Sequence, residues 1–196
     1  GLRAFARQAE GYTRATAGLF WGLMLVVYGF SHAVLLLTLP AESNPVGSVG
    51  GWFLFLVLLT EVDDIAQALV GRRIGKHKIT PVISPNKTWE GLAGGVATTI
   101  VLAMALAPWL TPLADGAALQ QLGMPAPVPF LWAGLAGALI STAGFLWDIN
   151  MSPAKREAGV KDGSSLLPGQ GGMIDRIDSL TLSAPCFYYF VTWLVG

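Results

Sequence analysis

Of the chain's 196 residues, 53% are hydrophobic and only 12% charged, with a mean hydropathy of +0.57. Soluble domains carry roughly a quarter charged residues, so this composition excludes an ordinary soluble domain and points to an integral membrane protein. Lys plus Arg and Asp plus Glu balance at 12 each, which leaves no basic footprint for nucleic acid, and the lone Cys186 excludes a disulfide framework or a cysteine zinc site.

The chain opens on Gly1 rather than Met, as expected of a processed or truncated form. Arg3, Arg7, Glu10 and Arg14 interrupt any secretory signal at the start. Residues 1–16 read as an amphipathic or loose cytoplasmic lead-in. Residues 17–39, Ala17 to Leu39, form an apolar run of 23 residues, enough to cross a hydrocarbon core of about 30 Å. His32 lies inside it and reads first as a hydrogen-bonded structural residue, with a functional role as the alternative. Pro40 to Gly51 is rich in turn residues.

A second span over 47–70 meets three acids, Glu61, Asp63 and Asp64, before its helical pattern resumes through Ile65 to Val70. Glu61 and Asp64 stand at i and i+3 and share a helix face. Acids in a spanning helix are expected to turn toward the protein interior or water; the alternative is that the helix has left the bilayer by Thr60. Arg72 to Lys87 reads as a basic loop ending in Ser84-Pro85-Asn86-Lys87-Thr88-Trp89-Glu90-Gly91. Pro85 does not suit a helix interior, and Thr88 and Gly91 suit the start of the next helix. Lys87 is placed to meet a phosphate or anionic headgroup; a solvated loop is the plainer reading.

Residues 91–113 form a third span, rich in the Ala and Gly that allow close helix packing. Thr111 to Val128 reads as a loop, and 129–147 as a fourth span. A charged stretch, read as a catalytic loop over 148–172, follows. The final run, Leu180 to Val195, has 16 residues and would extend about 24 Å. Begun at Met173, as a span over 173–195, it reaches about 34 Å and puts Asp175 and Asp178 in its first turn. The expected architecture is therefore all-α: one membrane domain, residues 1–196, with about five transmembrane helices. With the N-terminus in the cytoplasm, all 12 Lys and Arg residues fall on the cytoplasmic side, as the positive-inside bias predicts.

The stretch Asp148 to Asp178 carries the chemistry. Pro168-Gly169-Gln170-Gly171-Gly172 is able to bend tightly and present backbone N–H groups to an anion. Asp175 and Asp178, at i and i+3, suit Mg²⁺, which takes oxygen ligands and bridges to phosphates. Lys155, Arg156, Lys161 and Arg176, with Lys87 from upstream, suit the remaining phosphate charge. An interfacial salt-bridge network is the alternative.

These residues resemble the phosphatidate cytidylyltransferase, or CDP-diacylglycerol synthase, family. Its pattern of Ser, Lys-Arg, Lys-Asp, a Gly-rich segment and Asp-Arg-x-Asp is matched by Ser152, Lys155-Arg156, Lys161-Asp162, 168–172, Asp175-Arg176 and Asp178. The segments at 71–78 and 84–91 are similar as well, so the resemblance covers roughly residues 50–196. It implies an enzyme joining CTP and phosphatidic acid into CDP-diacylglycerol and pyrophosphate. It also implies metal ligation by Asp148 and Asp175, with Asp178 close behind, and a Mg²⁺ cofactor, a second cation being left open. Lys155, Arg156, Lys161, Asp162, Gln170 and Arg176 would then be catalytic. Ser84, Asn86, Lys87, Ser152, Gly171, Gly172 and Asp64 would bind substrate.

A homodimer in a bacterial inner membrane, with its site facing the cytoplasm, is the expected setting. Two departures stand out. Gln170 replaces the family's His and does not titrate near neutral pH, and Asp63-Asp64 stands where Asn-Asp is expected. Gln170 motivates an alternative, a catalytically weak relative that binds lipid or nucleotide without turnover. The extra acid at 63 is expected to strengthen metal binding or repel nucleotide. A transporter-like path is disfavoured because charge gathers at one side rather than at mid-membrane.

Overall fold

The computed structural model describes residues 12–81, 84–123, 130–157 and 179–195. The chain is mostly helical. Helix α1 (Tyr12–Leu23) runs through a π-helical turn (Met24–Tyr28) into α2 (Gly29–Leu35) and a 3₁₀ turn (Leu36–Thr38). The apolar run over 17–39 is thus helical in pieces rather than one uninterrupted α-helix. After a further 3₁₀ turn (Ala41–Ser43) comes α3 (Ser48–Ile74). A hairpin of β1 (Lys78–Thr80) and β2 (Ser84–Thr88) leads into α4 (Trp89–Leu110). A 3₁₀ turn (Pro112–Ala114), α5 (Gly116–Gln121), α6 (Leu131–Glu157) and α7 (Leu180–Val195) complete the described elements.

Three expectations need correction. The architecture is not purely α: residues 78–88 of the basic loop form an antiparallel two-stranded sheet, pairing Lys78 with Thr88 and Thr80 with Ser84. Pro85, unsuited to a helix, sits in β2. Within the loop expected from Thr111 to Val128, Asp115 caps α5 by accepting from the N–H groups of Ala117 at 2.9 Å and Ala118 at 3.3 Å. Finally, the fourth span does not stop at 147. Its helix continues to Glu157, through the first ten positions of the expected catalytic loop. Polar side chains there bond back to carbonyls one turn earlier, Asn150 to Leu146 at 2.8 Å and Ser152 to Asp148 at 2.7 Å. A segment that reads as loop by composition is thus helical, and its polar side chains find partners within the helix itself.

Helices α3 and α4 lie antiparallel along their full length. At one end Gly47 and Gly51 approach the carbonyl of Leu110, which accepts from Asn44 Nδ2 at 2.7 Å. At the other, Gly71 and Gly91 meet so closely that a Cβ on Gly91 would lie 3.2 Å from the Gly71 Cα. This is the close packing that small residues permit. Helices α6 and α7 cover the pair, and the core centres on Trp52, Phe55 and Phe187. Phe187 packs edge-on to Trp52 at 6.0 Å and stacked on Phe55 at 5.8 Å. Cys186, on α7, is half-buried.

His32 is buried. Its Nδ1 lies 2.7 Å from the Tyr28 carbonyl, and its ring packs against Tyr28 and Tyr188, which fits the structural reading. Large apolar side chains such as Val101, Trp109 and Trp193 face outward, Trp109 at 77% exposure. Among the described residues two helical stretches are long and apolar enough to cross a membrane, Trp89–Leu110 and Leu131–Pro153. The stretches Gly29–Thr38 and Leu180–Val195 are apolar but shorter. Arg72, Arg73, Lys76, Lys78 and Lys87 all sit at the hairpin end of the α3–α4 pair, whereas Glu42 and Asp115 sit at the opposite end.

Candidate active site at the hairpin end

Three local structures converge here. The first is the start of α4. Thr88 caps it, accepting from the Gly91 N–H at 3.1 Å. Glu90, one residue into the helix, accepts from the backbone N–H groups of Lys76 at 3.1 Å and His77 at 3.2 Å, and pairs with His77 Nδ1 at 2.5 Å. With the Trp89 N–H donating to the His77 carbonyl at 3.0 Å, this clasp ties the hairpin to the helix. Lys87, on the last stretch of β2, is thereby aimed.

The second is the acidic turn of α3. An α-helix advances about 100° per residue, so the adjacent acids Asp63 and Asp64 diverge. Asp63, 2% exposed, enters the junction of α3, α4 and α6. It accepts from Gln67 Nε2 at 2.7 Å, Thr99 Oγ at 3.0 Å and Ser141 Oγ at 2.7 Å. Asp64 accepts from Ser179 Oγ at 2.9 Å, at the entry to α7. The third is α6, whose Phe145 and Asp148 stand at i and i+3 on one face.

Between them lies a cavity of about 470 Å³, its wall including Glu61, Asp64, Gln67, Arg72, Asn86, Lys87, Phe145 and Asp148. That volume falls within the usual range of small-molecule sites, about 300–1,000 Å³. The Lys87 ammonium forms an ion pair with Asp148 and lies 5.6 Å from the Phe145 ring centroid, within cation–π range. The wall thus combines two cations, Arg72 and Lys87, with the carboxylates of Glu61, Asp64 and Asp148. Cations of this kind neutralise phosphates, and hard oxygen donors of this kind hold Mg²⁺. Among the described residues no group of three metal-ligating side chains converges.

Four of the expected residues therefore meet in one cavity: Asp64, Asn86, Lys87 and Asp148. Ser84 instead sits opposite Thr80 in the hairpin, and Ser152 donates to the Asp148 carbonyl; neither lines this cavity. Lys155 and Arg156 fall near the end of α6. Lys161, Asp162, Gln170, Gly171, Gly172, Asp175, Arg176 and Asp178 lie outside the described residues. The expectation that Asp63 bears on a metal or nucleotide is corrected, because its carboxylate is taken up by the helix junction and does not line the cavity. Gln67 and Phe145 were not foreseen as wall residues. The available signals were a polar residue one turn after Asp63 and an aromatic one turn before Asp148.

A sequence model of the cytidylyltransferase family matches residues 5–194. The uncharacterized protein YnbB of Escherichia coli K12 is 43% identical over 184 residues, 94% of this chain and 56% of its own length. The phosphatidate cytidylyltransferase of Haemophilus influenzae is 39% identical over 137 residues, 70% of this chain and 44% of the relative. That of Pseudomonas aeruginosa is 34% identical over 175 residues, 89% of this chain and 57% of the relative. The chain spans about half the length of the curated relatives it matches. The resemblance carried by Ser152 to Asp178 is borne out at the level of the family.

Proposed function

Because the chain belongs to the cytidylyltransferase family, we propose that it transfers a cytidylyl group from CTP to phosphatidic acid. A phosphatidate oxygen attacks the α-phosphorus of CTP, the bond to the bridging oxygen of the β-phosphate breaks, and pyrophosphate leaves. The nucleophile is already anionic, so the reaction needs alignment and charge neutralisation more than a strong base. The observation that carries this reading is the meeting of Asp64, Asn86, Lys87 and Asp148 around one cavity. Lys87 and Arg72 are suited to phosphate oxygens and Asn86 to a neutral contact. The names of the Haemophilus and Pseudomonas relatives support the same substrates.

Asp64 and Asp148 are the described residues that would hold Mg²⁺; Asp175 and Asp178, metal ligands by the resemblance, lie outside the described residues. An ion with one or two carboxylates, waters and substrate phosphates as ligands fits this donor set. When bound, Mg²⁺ neutralises the developing charge on the pyrophosphate. In this reading about five helical segments cross a bacterial inner membrane, and the Arg- and Lys-rich hairpin end faces the cytoplasm, where CTP is found.

The test is formation of CDP-lipid from labelled CTP and phosphatidate by the full-length protein in vesicles containing Mg²⁺. Product in the presence of both substrates supports the reading. CTP binding without product would instead favour a relative that binds without turnover, and Gln170→His would then show whether that position limits the rate.

A further inference from the structure

Among the described residues, one that lines the cavity carries a buried acceptor with no donor. Gln67 is 6% exposed and lines the cavity. Its amide orientation is set from one side, where Nε2 donates to Asp63 Oδ2 at 2.7 Å. Asp63 Oδ2 is the acceptor of that bond, so turning the amide over would set the Gln67 oxygen against it. The Gln67 oxygen, Oε1, is therefore the end left over, and it finds no hydrogen-bond partner among the described residues.

The side chain is also held in place. It packs over Gly95 of α4, where an added Cβ would lie 2.3 Å from Gln67 Cγ and 2.8 Å from Asp63 Oδ1. The absence of a side chain at 95 makes the room that Gln67 and Asp63 occupy. A buried amide oxygen without a donor is destabilising, and a ligand carrying a donor would relieve that. Ionised phosphates carry only acceptors and are matched by Lys87 and Arg72. What Oε1 lacks is a neutral N–H or O–H.

We propose that Gln67 is a specificity-determining residue whose Oε1 receives a neutral donor of the nucleotide, either the exocyclic amine of the base or a sugar hydroxyl. This rests on the nucleotide chemistry proposed above. Cytosine presents an amine where uracil presents a carbonyl, and a site built around a hydrogen bond rejects a ligand that lacks its partner far more strongly than an apolar wall does.

The experiment is equilibrium binding of CTP, UTP, 2′-deoxy-CTP and 3′-deoxy-CTP to the full-length protein in nanodiscs, for wild type, Gln67→Met and Lys87→Met. In wild type one analogue is expected to bind roughly ten-fold or more weakly than CTP. Weak UTP identifies the base amine as the source, and weak deoxy-CTP identifies the hydroxyl. In Gln67→Met that gap collapses because CTP alone loses affinity; in Lys87→Met all four nucleotides weaken together. Equal wild-type affinity for all four, or a gap that survives in Gln67→Met, overturns the proposal while leaving the function reading standing. No nucleotide binding by wild type overturns both. Gln67→Ala, which removes atoms rather than replacing them, reads out the same gap if Gln67→Met does not fold.

Discussion

Lys87 and Asp148 stand 61 positions apart in the chain and form an ion pair across the cavity, one from the hairpin and one from α6. Each side chain keeps about a quarter of its surface exposed, 24% and 26%, so the pair is neither a dry internal bridge nor a solvated surface contact. Its position at the wall leaves both charges within reach of a phosphate or a cation. If the pair serves turnover, Lys87→Met and Asp148→Asn each lower kcat by on the order of 10²-fold or more. The double variant should fall short of the sum of the two effects, because the residues act as a unit. CDP-lipid formation at saturating CTP checks both points.

Asp63 is a junction residue, and its loss should register as instability. Asp63→Ala strands the donors of Gln67 and Ser141, while Thr99 keeps the Gly95 carbonyl as an acceptor at 2.9 Å. It is expected to cost about 2–4 kcal/mol, given the penalty for each unpaired buried group. Asp63→Asn keeps one oxygen for Thr99 and Ser141 but turns an NH₂ toward Gln67. The Gln67 amide then reverses, and its own NH₂ takes the free position. Denaturant unfolding in detergent should rank the wild type above Asp63→Asn and Asp63→Ala lowest. The nucleotide that presents an acceptor should gain on CTP in Asp63→Asn.

Two glycines make a matched pair for testing how tightly the helices meet. A Cβ on Gly95 would lie 2.3 Å from Gln67 Cγ, whereas one on Gly144 would lie 3.6 Å from Ser179 Cβ and 3.9 Å from Asp63 Oδ2. Gly95→Ala is therefore expected to destabilise by about 1–3 kcal/mol through overpacking. Gly144→Ala meets only ordinary contacts and should be neutral or gain up to about 1 kcal/mol from helix propensity. Thermal unfolding of the two variants separates them.

The Glu90 clasp places Lys87 without lining the cavity. Glu90→Ala releases the N–H groups of Lys76 and His77 and the His77 ring. Because His77 is exposed, the cost in global stability should be small. Faster hydrogen exchange over residues 76–81 and 84–88 is expected, together with a fall in kcat in the same direction as that of Lys87→Met but smaller. Faster exchange with kcat unchanged would count against this positioning role.

Chelation tests the cation. EDTA should abolish CDP-lipid formation and added Mg²⁺ restore it. Ca²⁺ should restore less, because its longer, more variable oxygen coordination fits phosphate bridging poorly. Asp148→Asn should raise the Mg²⁺ concentration needed for half-maximal rate.

Much of this was legible along the chain, because it depends on sums and spacings. Low charge and long apolar runs mark membrane-grade helices wherever those helices pack. The gathering of Lys and Arg between alternate runs separates a charged end from an uncharged one. Thr88 announces a helix start, and Asn86, Lys87 and Asp148 stand out as polar groups at the ends of apolar segments. Only the tertiary structure decided which of two adjacent acids faces the cavity. Successive helical residues point about 100° apart, and the neighbours Thr99, Ser141 and Ser179, far away in sequence, determine what each one meets. The same holds for α6, whose polar end continues as helix past Asp148, and for Gln67, whose oxygen is left unpaired among the described residues because Asp63 holds the other end of the amide.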